Sequence, residues 1–352
     1  MAQITPLKIH HRLIGPEEPT FIVAEMSANH LQDFDRAVQL VQAAAAAGAD
    51  AIKLQTYTPE TMTLDLPEAA FTIGEGTIWS GRHLFDLYRE AATPWEWHAP
   101  LKKLAEELGL VFFSTPFDDT AVEFLESLGV PAYKIASFEL VDLPLIRRVA
   151  RTGKPIIMST GMASREEIEE AVAAARAAGN RQLALLKCTS AYPAPPEEMN
   201  LRTIVDLAQS FQVPVGLSDH SLEPAIPVAA VALGACVVEK HLTLSRAVPG
   251  PDQAFSLEPE EFRELVAAIR ITEKALGRPS YEVGPREEAS RFFRRSLFVV
   301  QDMAAGDLFT PDKVKSLRPA LGLAPKYYDA VLGRRAARAI KRGTPLSWDL
   351  IQ

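Results

Sequence analysis

The chain has 352 residues, is 47% hydrophobic and 23% charged, and carries a formal net charge of −8. This is the composition of a soluble globular protein long enough for one large core and a small second domain. The acidic balance argues against nucleic acid or an anionic membrane as a default partner, although local lysines can still hold a small anion.

The opening segment MAQITPLKIHHRLIG lacks the apolar core of a secretion signal. The longest apolar run, IPVAAVALGACVV, is too short for a bilayer and is broken by glycine. A cytoplasmic protein is expected. Cys188 and Cys236 form no paired motif and sit in apolar runs, so both are expected as buried structural thiols.

From residue 21 the chain alternates. Eight short apolar runs, 21–27, 51–57, 111–117, 132–137, 155–160, 183–189, 214–220 and 236–243, are separated by stretches with helical spacing. Helix punctuation is clear: 34–47 stops at Gly48, 94–108 stops at Gly109, and Ser164 with Glu167 forms a capping box for a helix that stops at Gly179. Eight such units in about 250 residues predict a (β/α)8 TIM barrel, an α/β fold. Continuous apolar runs suit parallel strands covered on both faces. An open doubly wound sheet is the competing architecture. Its glycine-rich phosphate turn is missing after the first strand, which reads AEMSANH.

Residues 58–93 form a long insertion after the second strand, with Trp79, Arg82 and Tyr88. A loop of this length at the catalytic end of a barrel is expected to bear on substrate choice. The polar segment around 278–292 reads as a linker. The division expected is a barrel over 1–280, a linker over 281–291 and a small β-rich domain over 292–352. The small domain holds an internal repeat at offset 37, pairing Met303 with Ile340, Gly306 with Gly343, Phe309 with Leu346, Asp312 with Asp349 and Val314 with Ile351. Two similar strand–turn units predict a compact pseudo-symmetric module.

Polar residues gather where the barrel strands end: Glu25, Ser27, Asn29 and His30; Lys53 and Gln55; Ser114 and Thr115; Lys134, Ser137 and Glu139; Ser159 and Thr160; Lys187, Thr189, Ser190 and Tyr192; Ser218, Asp219 and His220; Glu239, Lys240 and His241; then Asp252. Barrel active sites lie at this end. Lysines in apolar strands are costly unless matched. Lys53, Lys134, Lys187 and Lys240 therefore either pair with carboxylates such as Glu25 or Glu239, or form an anion site, for which Lys53 and Lys134 are best flanked by hydroxyls. A Schiff-base lysine is a third reading. His220 and His241 end adjacent strands. They either cap those strands or meet as a metal pair, with open positions left for water and substrate. His10 and His11 read as solvent-facing, His83 and His98 as insertion and helix residues, and His30 as intermediate.

Taken in order, AEMSANH, ADAIKLQTY, STPFD, YKIASFE, CTSAYPAPP, VGLSDHS, EKHLT and GPDQAFS resemble the sialic acid synthase family, and the tail resembles that family's antifreeze-like (SAF) domain. The resemblance runs from about residue 5 to 352. The insertion wording WSGR, FDLY and TPWEWH, with FRRSLFVV and KRGTPLSWDLI, is most similar to the family branch that makes pseudaminic acid. The resemblance implies condensation of phosphoenolpyruvate with the aldehyde of an amino sugar. That sugar is 2,4-diacetamido-2,4,6-trideoxy-L-altrose, with N-acetylmannosamine or the legionaminic acid precursor as alternatives. It also implies a divalent metal on His220 and His241, manganese first, with magnesium or cobalt as alternatives. Phosphoenolpyruvate would be held by Lys53, Thr115, Lys134, Ser137, Ser190 and Ser218. Gln55, Tyr192 and Arg318 would face the sugar, and Glu25, Glu139 and Asp252 would be the catalytic carboxylates. A domain-swapped homodimer is implied, with Arg318 reaching the partner's barrel. A Schiff-base aldolase and a non-catalytic sugar-binding protein are the readings of other classes.

Overall fold

The computed structural model describes residues 4–352, which divide into two compact units on either side of the Gly277–Arg278 bond. The first unit is the closed barrel that the eight apolar runs predict. Its strands are β1 (Phe21–Glu25), β2 (Ala51–Thr56), β3 (Val111–Pro116), β4 (Tyr133–Ile135), β5 (Ile156–Ser159), β6 (Leu183–Cys188), β7 (Val215–Asp219) and β8 (Val237–His241). All neighbours are parallel. β8 closes on β1 through five aligned pairs, from Val237 opposite Phe21 to His241 opposite Glu25.

The helices form where the punctuation predicts. Asp33 accepts the amide hydrogens of Asp35 and Arg36 to start helix Phe34–Ala47, and Gly48 ends it in the left-handed region at φ 85°. Ser164 and Glu167 cap helix Arg165–Ala177 reciprocally.

Strand parity separates two cores. Ile22, Ile52, Phe112, Tyr133, Met158, Leu185, Leu217 and Val238 point outward and pack under the helices. Phe21, Val23, Val111, Phe113, Ile157, Leu186 and Val237 share the second core with Leu7, Ile9 and Ile14 of an N-terminal hairpin (Leu7–Ile9 with Arg12–Ile14). That second core fills the lower barrel. Gly216 lies on this inner parity, and a Cβ there would collide with Val237 and Leu186, so only glycine fits. The hairpin is fastened by Arg12, which meets Asp50 at 3.1 Å, while Arg270 meets the same carboxylate at 2.8 Å.

The second unit contains an antiparallel pair, β9 (Ser296–Val299) and β10 (Val314–Leu317). Its hydrogen bonds reproduce the 37-residue repeat as a pseudo-dyad. Met303 and Ile340 bond each other in both directions at 2.9 Å. Gly306 N–H donates to Ala336 O at 2.8 Å, and its mate Gly343 donates to Val299 O at 2.8 Å. Phe309 N–H donates to Arg334 O at 2.9 Å, and its mate Leu346 donates to Leu297 O at 2.8 Å. Gly306 and Gly343 share the left-handed turn conformation, at φ 86° and 88°. Among the described residues, no helix is long and apolar enough to cross a membrane.

Candidate active site

Two residues above the apolar filling, the same inward face of the barrel becomes charged. Lys53 Nζ lies 2.5 Å from Glu25 Oε2 and 3.6 Å from Glu239 Oε1, and donates to Thr115 Oγ1 at 3.1 Å. Lys134 Nζ lies 3.6 Å from the same Glu239 oxygen and donates to Ser159 Oγ at 2.7 Å. Ser218 Oγ donates to Glu239 Oε1 at 3.2 Å. Glu239 thus joins both lysines. Burial opposes its charge, but Lys134 and Lys53 hold it below the usual carboxylate range. Burial likewise opposes the charge on Lys53, yet Glu239 and Glu25 raise that lysine. Lys134 is lowered by its burial, which Glu239 only partly offsets. Burial pushes Glu25 up to about 7 against the pull of Lys53.

These groups form the floor of a cavity of about 440 Å³. Among the residues singled out from sequence, Lys53, Gln55, Lys134, Ser137, Glu139, Tyr192, Ser218, His220, His241 and Asp252 line it. Glu25 and Thr115 stand behind Lys53, both fully buried. Ser190 flanks Gly161 together with Ser137, and a Cβ on that glycine would collide with both hydroxyls. Ser137 Oγ accepts the Gly161 amide hydrogen at 3.1 Å. Arg318 is exposed in the second unit.

Strand parity also sorts the four lysines. Lys187 and Lys240 lie on the outward parity of β6 and β8. Lys240 pairs with Asp219 at 2.6 Å, and Lys187 donates to Cys188 O at 2.7 Å. Both are structural.

His220 and His241 stand with ring centroids 5.3 Å apart. Nδ1 of His220 lies 3.0 Å from Thr189 O, which fixes its hydrogen there and leaves Nε2 as the free lone pair. Burial and the neighbouring His220 and lysine charges keep His241 well below its ordinary value, hence neutral. Its Nδ1 is buried without a hydrogen-bond partner among the described residues. Burial, the largest single effect, lowers His220 as well, but Cys188, whose sulfur lies 3.9 Å from Nδ1, together with Thr189 O and Asp219 raises it on balance. Among the described residues, no cluster of three or more His, Cys, Asp or Glu side chains has metal-holding geometry. In their neutral forms the two imidazoles lining this polar cavity fit a divalent cation that completes its shell with water and substrate.

Three further carboxyl and histidine environments complete the site. Asp252 accepts from Ser27 Oγ at 2.5 Å and from the Ala28 amide at 3.1 Å, and burial raises it. Glu139 is raised to about 7 by burial, and its Oε2 has no partner among the described residues. His30 lies deep in the protein, with Nδ1 accepting from Gln32 N–H at 3.1 Å and Nε2 3.2 Å from Thr93 Oγ1, a structural arrangement. His98 is similarly held, 2.8 Å from Thr56 Oγ1.

The sequence marks Glu239 as a counter-ion, without a place in the site proper, and assigns Ser159 no role. Its signal was available: Glu239 and Ser159 sit on the same inward parity as Lys53 and Lys134. The insertion covers the cavity with Met62, Ile73, Trp79, Leu84, Leu87 and Tyr88.

The mouth of the closed (β/α)8 barrel thus brings together two buried lysines, a linking glutamate and a histidine pair, at the end where barrel active sites lie. Residues 40–281 match the NeuB family and residues 294–352 match the SAF domain. The chain belongs to the NeuB family. It is 47% identical over 336 residues to the pseudaminic acid synthase of Helicobacter pylori, covering 95% of this chain and 98% of that one. It is 44% identical to the pseudaminic acid synthase of Campylobacter jejuni, covering 94% and 96%. Among solved structures, N-acetylneuraminic acid synthetase from Leptospira borgpetersenii superposes with a TM-score of 0.73 at 32% identity, covering 82% of this chain and 96% of that one.

Proposed function

We propose that this protein is an enzyme that condenses phosphoenolpyruvate with 2,4-diacetamido-2,4,6-trideoxy-L-altrose, giving pseudaminic acid and inorganic phosphate. What carries the reading is the near-full-length likeness to two pseudaminic acid synthases, joined to a cavity with a cationic floor and a histidine pair. Lys53 and Lys134, with Thr115, Ser137, Ser190 and Ser218, hold the phosphate and carboxylate of phosphoenolpyruvate. Gln55, Tyr192 and Arg318 contact the sugar. Arg318 acts from a partner subunit in a homodimer, and the protein works in the cytoplasm.

His220 and His241 hold a divalent metal, manganese first, which when bound polarises the sugar aldehyde. The protein's own groups do the rest. The lysine floor orients phosphoenolpyruvate so that its C3 attacks the aldehyde carbon and forms the new C–C bond. The aldehyde oxygen takes a proton as it becomes a hydroxyl. Water adds at C2, and the resulting tetrahedral carbon collapses to the ketone as the C–O bond to phosphate breaks. Glu139, raised to about 7, is suited to carry a proton in either direction near neutral pH. Asp252 is another carboxyl lining the cavity, and Glu25, behind Lys53, acts through that lysine.

The test is phosphate release from phosphoenolpyruvate with manganese and three acceptors: the altrose sugar, N-acetylmannosamine and the legionaminic acid precursor. Release with the altrose sugar, lost on chelation, is expected. Release with another acceptor alone would overturn the acceptor. Trapping by borohydride with pyruvate would replace the whole reading by a Schiff-base aldolase, for which Lys134 would be the lysine.

A further inference from the structure

The cavity has two unlike faces. Its floor is charged, from Lys53, Lys134 and Glu239; its roof, from the insertion after β2, is largely apolar. Residues 74–78, 80 and 81 of that insertion are exposed, whereas Trp79 between them is half-buried. The segment folds back on itself: Ile73 N–H donates to Arg82 O at 2.9 Å, and Gly81 N–H donates to Ile73 O at 2.8 Å. Gly81, at φ 81°, lets this strap turn.

Trp79 fastens the strap to the opposite rim. Its indole N–H donates to Pro251 O at 2.8 Å. Its ring lies 5.2 Å from that of Tyr192 and 6.3 Å from that of Phe255. Tyr192 in turn lies 4.4 Å from the His220 ring. Trp79 is therefore a ceiling above the metal pair.

Chemistry fixes which end of an acceptor meets that ceiling. The aldehyde carbon must reach C3 of phosphoenolpyruvate at the floor, so the far end of the open-chain sugar points toward the roof. Resting on the acceptor proposed above, we infer that Trp79 is a specificity-determining residue: it packs on the C6 methyl group and selects 6-deoxy sugars over those with a C6 hydroxyl. A methyl group loses only water there. A hydroxyl packed on the indole face would leave water without a conventional hydrogen bond from that ring in return.

Apolar pockets discriminate modestly, by about ten- to two-hundredfold. The experiment compares kcat/KM for 2,4-diacetamido-2,4,6-trideoxy-L-altrose and its 6-hydroxy counterpart, in the wild type, Trp79→Ala and Trp79→Phe. The wild type is expected to prefer the deoxy sugar by about tenfold or more. Trp79→Ala should reduce that preference to within about threefold and raise KM for the sugar about tenfold, with KM for phosphoenolpyruvate within about twofold. Trp79→Phe keeps a ring and loses the Pro251 hydrogen bond, and should retain most of the preference. An unchanged preference in Trp79→Ala would overturn the inference. So would an equal rise in both KM values, which marks a strap that merely holds the mouth together. A wild type inert toward both sugars would instead overturn the proposed acceptor.

Discussion

The two ends of the barrel are built from the same strands and the same inward parity, yet one packs and the other reacts. Along β1 the inward residues run Phe21, Val23, Glu25; along β3 they run Val111, Phe113, Thr115; along β8 they run Val237, Glu239, His241. A step of two residues turns a plug closed by Leu7, Ile9 and Ile14 into a floor of ion pairs. Stability and chemistry are therefore separable along a single strand, and substitutions a few ångströms apart should have opposite signatures.

The largest effects are expected at the upper end. His241→Ala should lower kcat by at least about a hundredfold with the fold intact by circular dichroism, and chelation of the wild type should match it. Full activity after both would remove the metal from the site. Lys53→Ala comes next, because it touches both properties. KM for phosphoenolpyruvate should rise at least about tenfold, far more than KM for the sugar. Unfolding should become easier by about 3–5 kcal/mol, since Glu25 is left buried without its partner. An unchanged KM for phosphoenolpyruvate would place the anion elsewhere. Phe113→Ala, one step lower on β3, should cost a similar 3–5 kcal/mol or so in denaturant unfolding while leaving both KM values alone. A large kinetic effect there would show that the lower core tunes the site.

Glu139→Gln should give the mildest change. An inflection near pH 7 in kcat/KM should be reduced, with Glu25, also raised to about 7, supplying what remains. Burial raises this carboxyl above its ordinary 4.5, so its stabilising contribution is complete below that value and is lost as pH rises through about 7. The glutamine variant should therefore lose less stability than wild type between pH 5 and 7.5. Parallel stability profiles would deny Glu139 the raised value.

Much of this architecture was legible in the sequence, because buried parallel strands and capped helices carry strong local signals. Gly48, Ser164 and Glu167 each do in the fold what their type and position predict. The grouping of Lys53 with Lys134, and of His220 with His241, followed from strand ends alone. What remained open was which lysines face inward. Lys187 and Lys240 sit one residue out of phase with the inward face, and a strict two-residue count would have removed them. The place of Glu239 could not be read in this way, since a counter-ion and a site residue look identical until two lysines converge on one oxygen. Trp79 was visible only as part of a long loop, and its direction depends on contacts with Pro251, Tyr192 and Phe255, all far away in sequence.

The pseudo-dyad of the second unit bears on how that module opens. Each half closes its hydrogen bonds on the other, as with Gly306 to Ala336 and Gly343 to Val299. Neither repeat can then fray alone, and the crossed amides are released together. In deuterium exchange, Gly306 and Gly343, and likewise Phe309 and Leu346, should share one protection factor despite lying 37 residues apart, so that the module behaves as a single foldon.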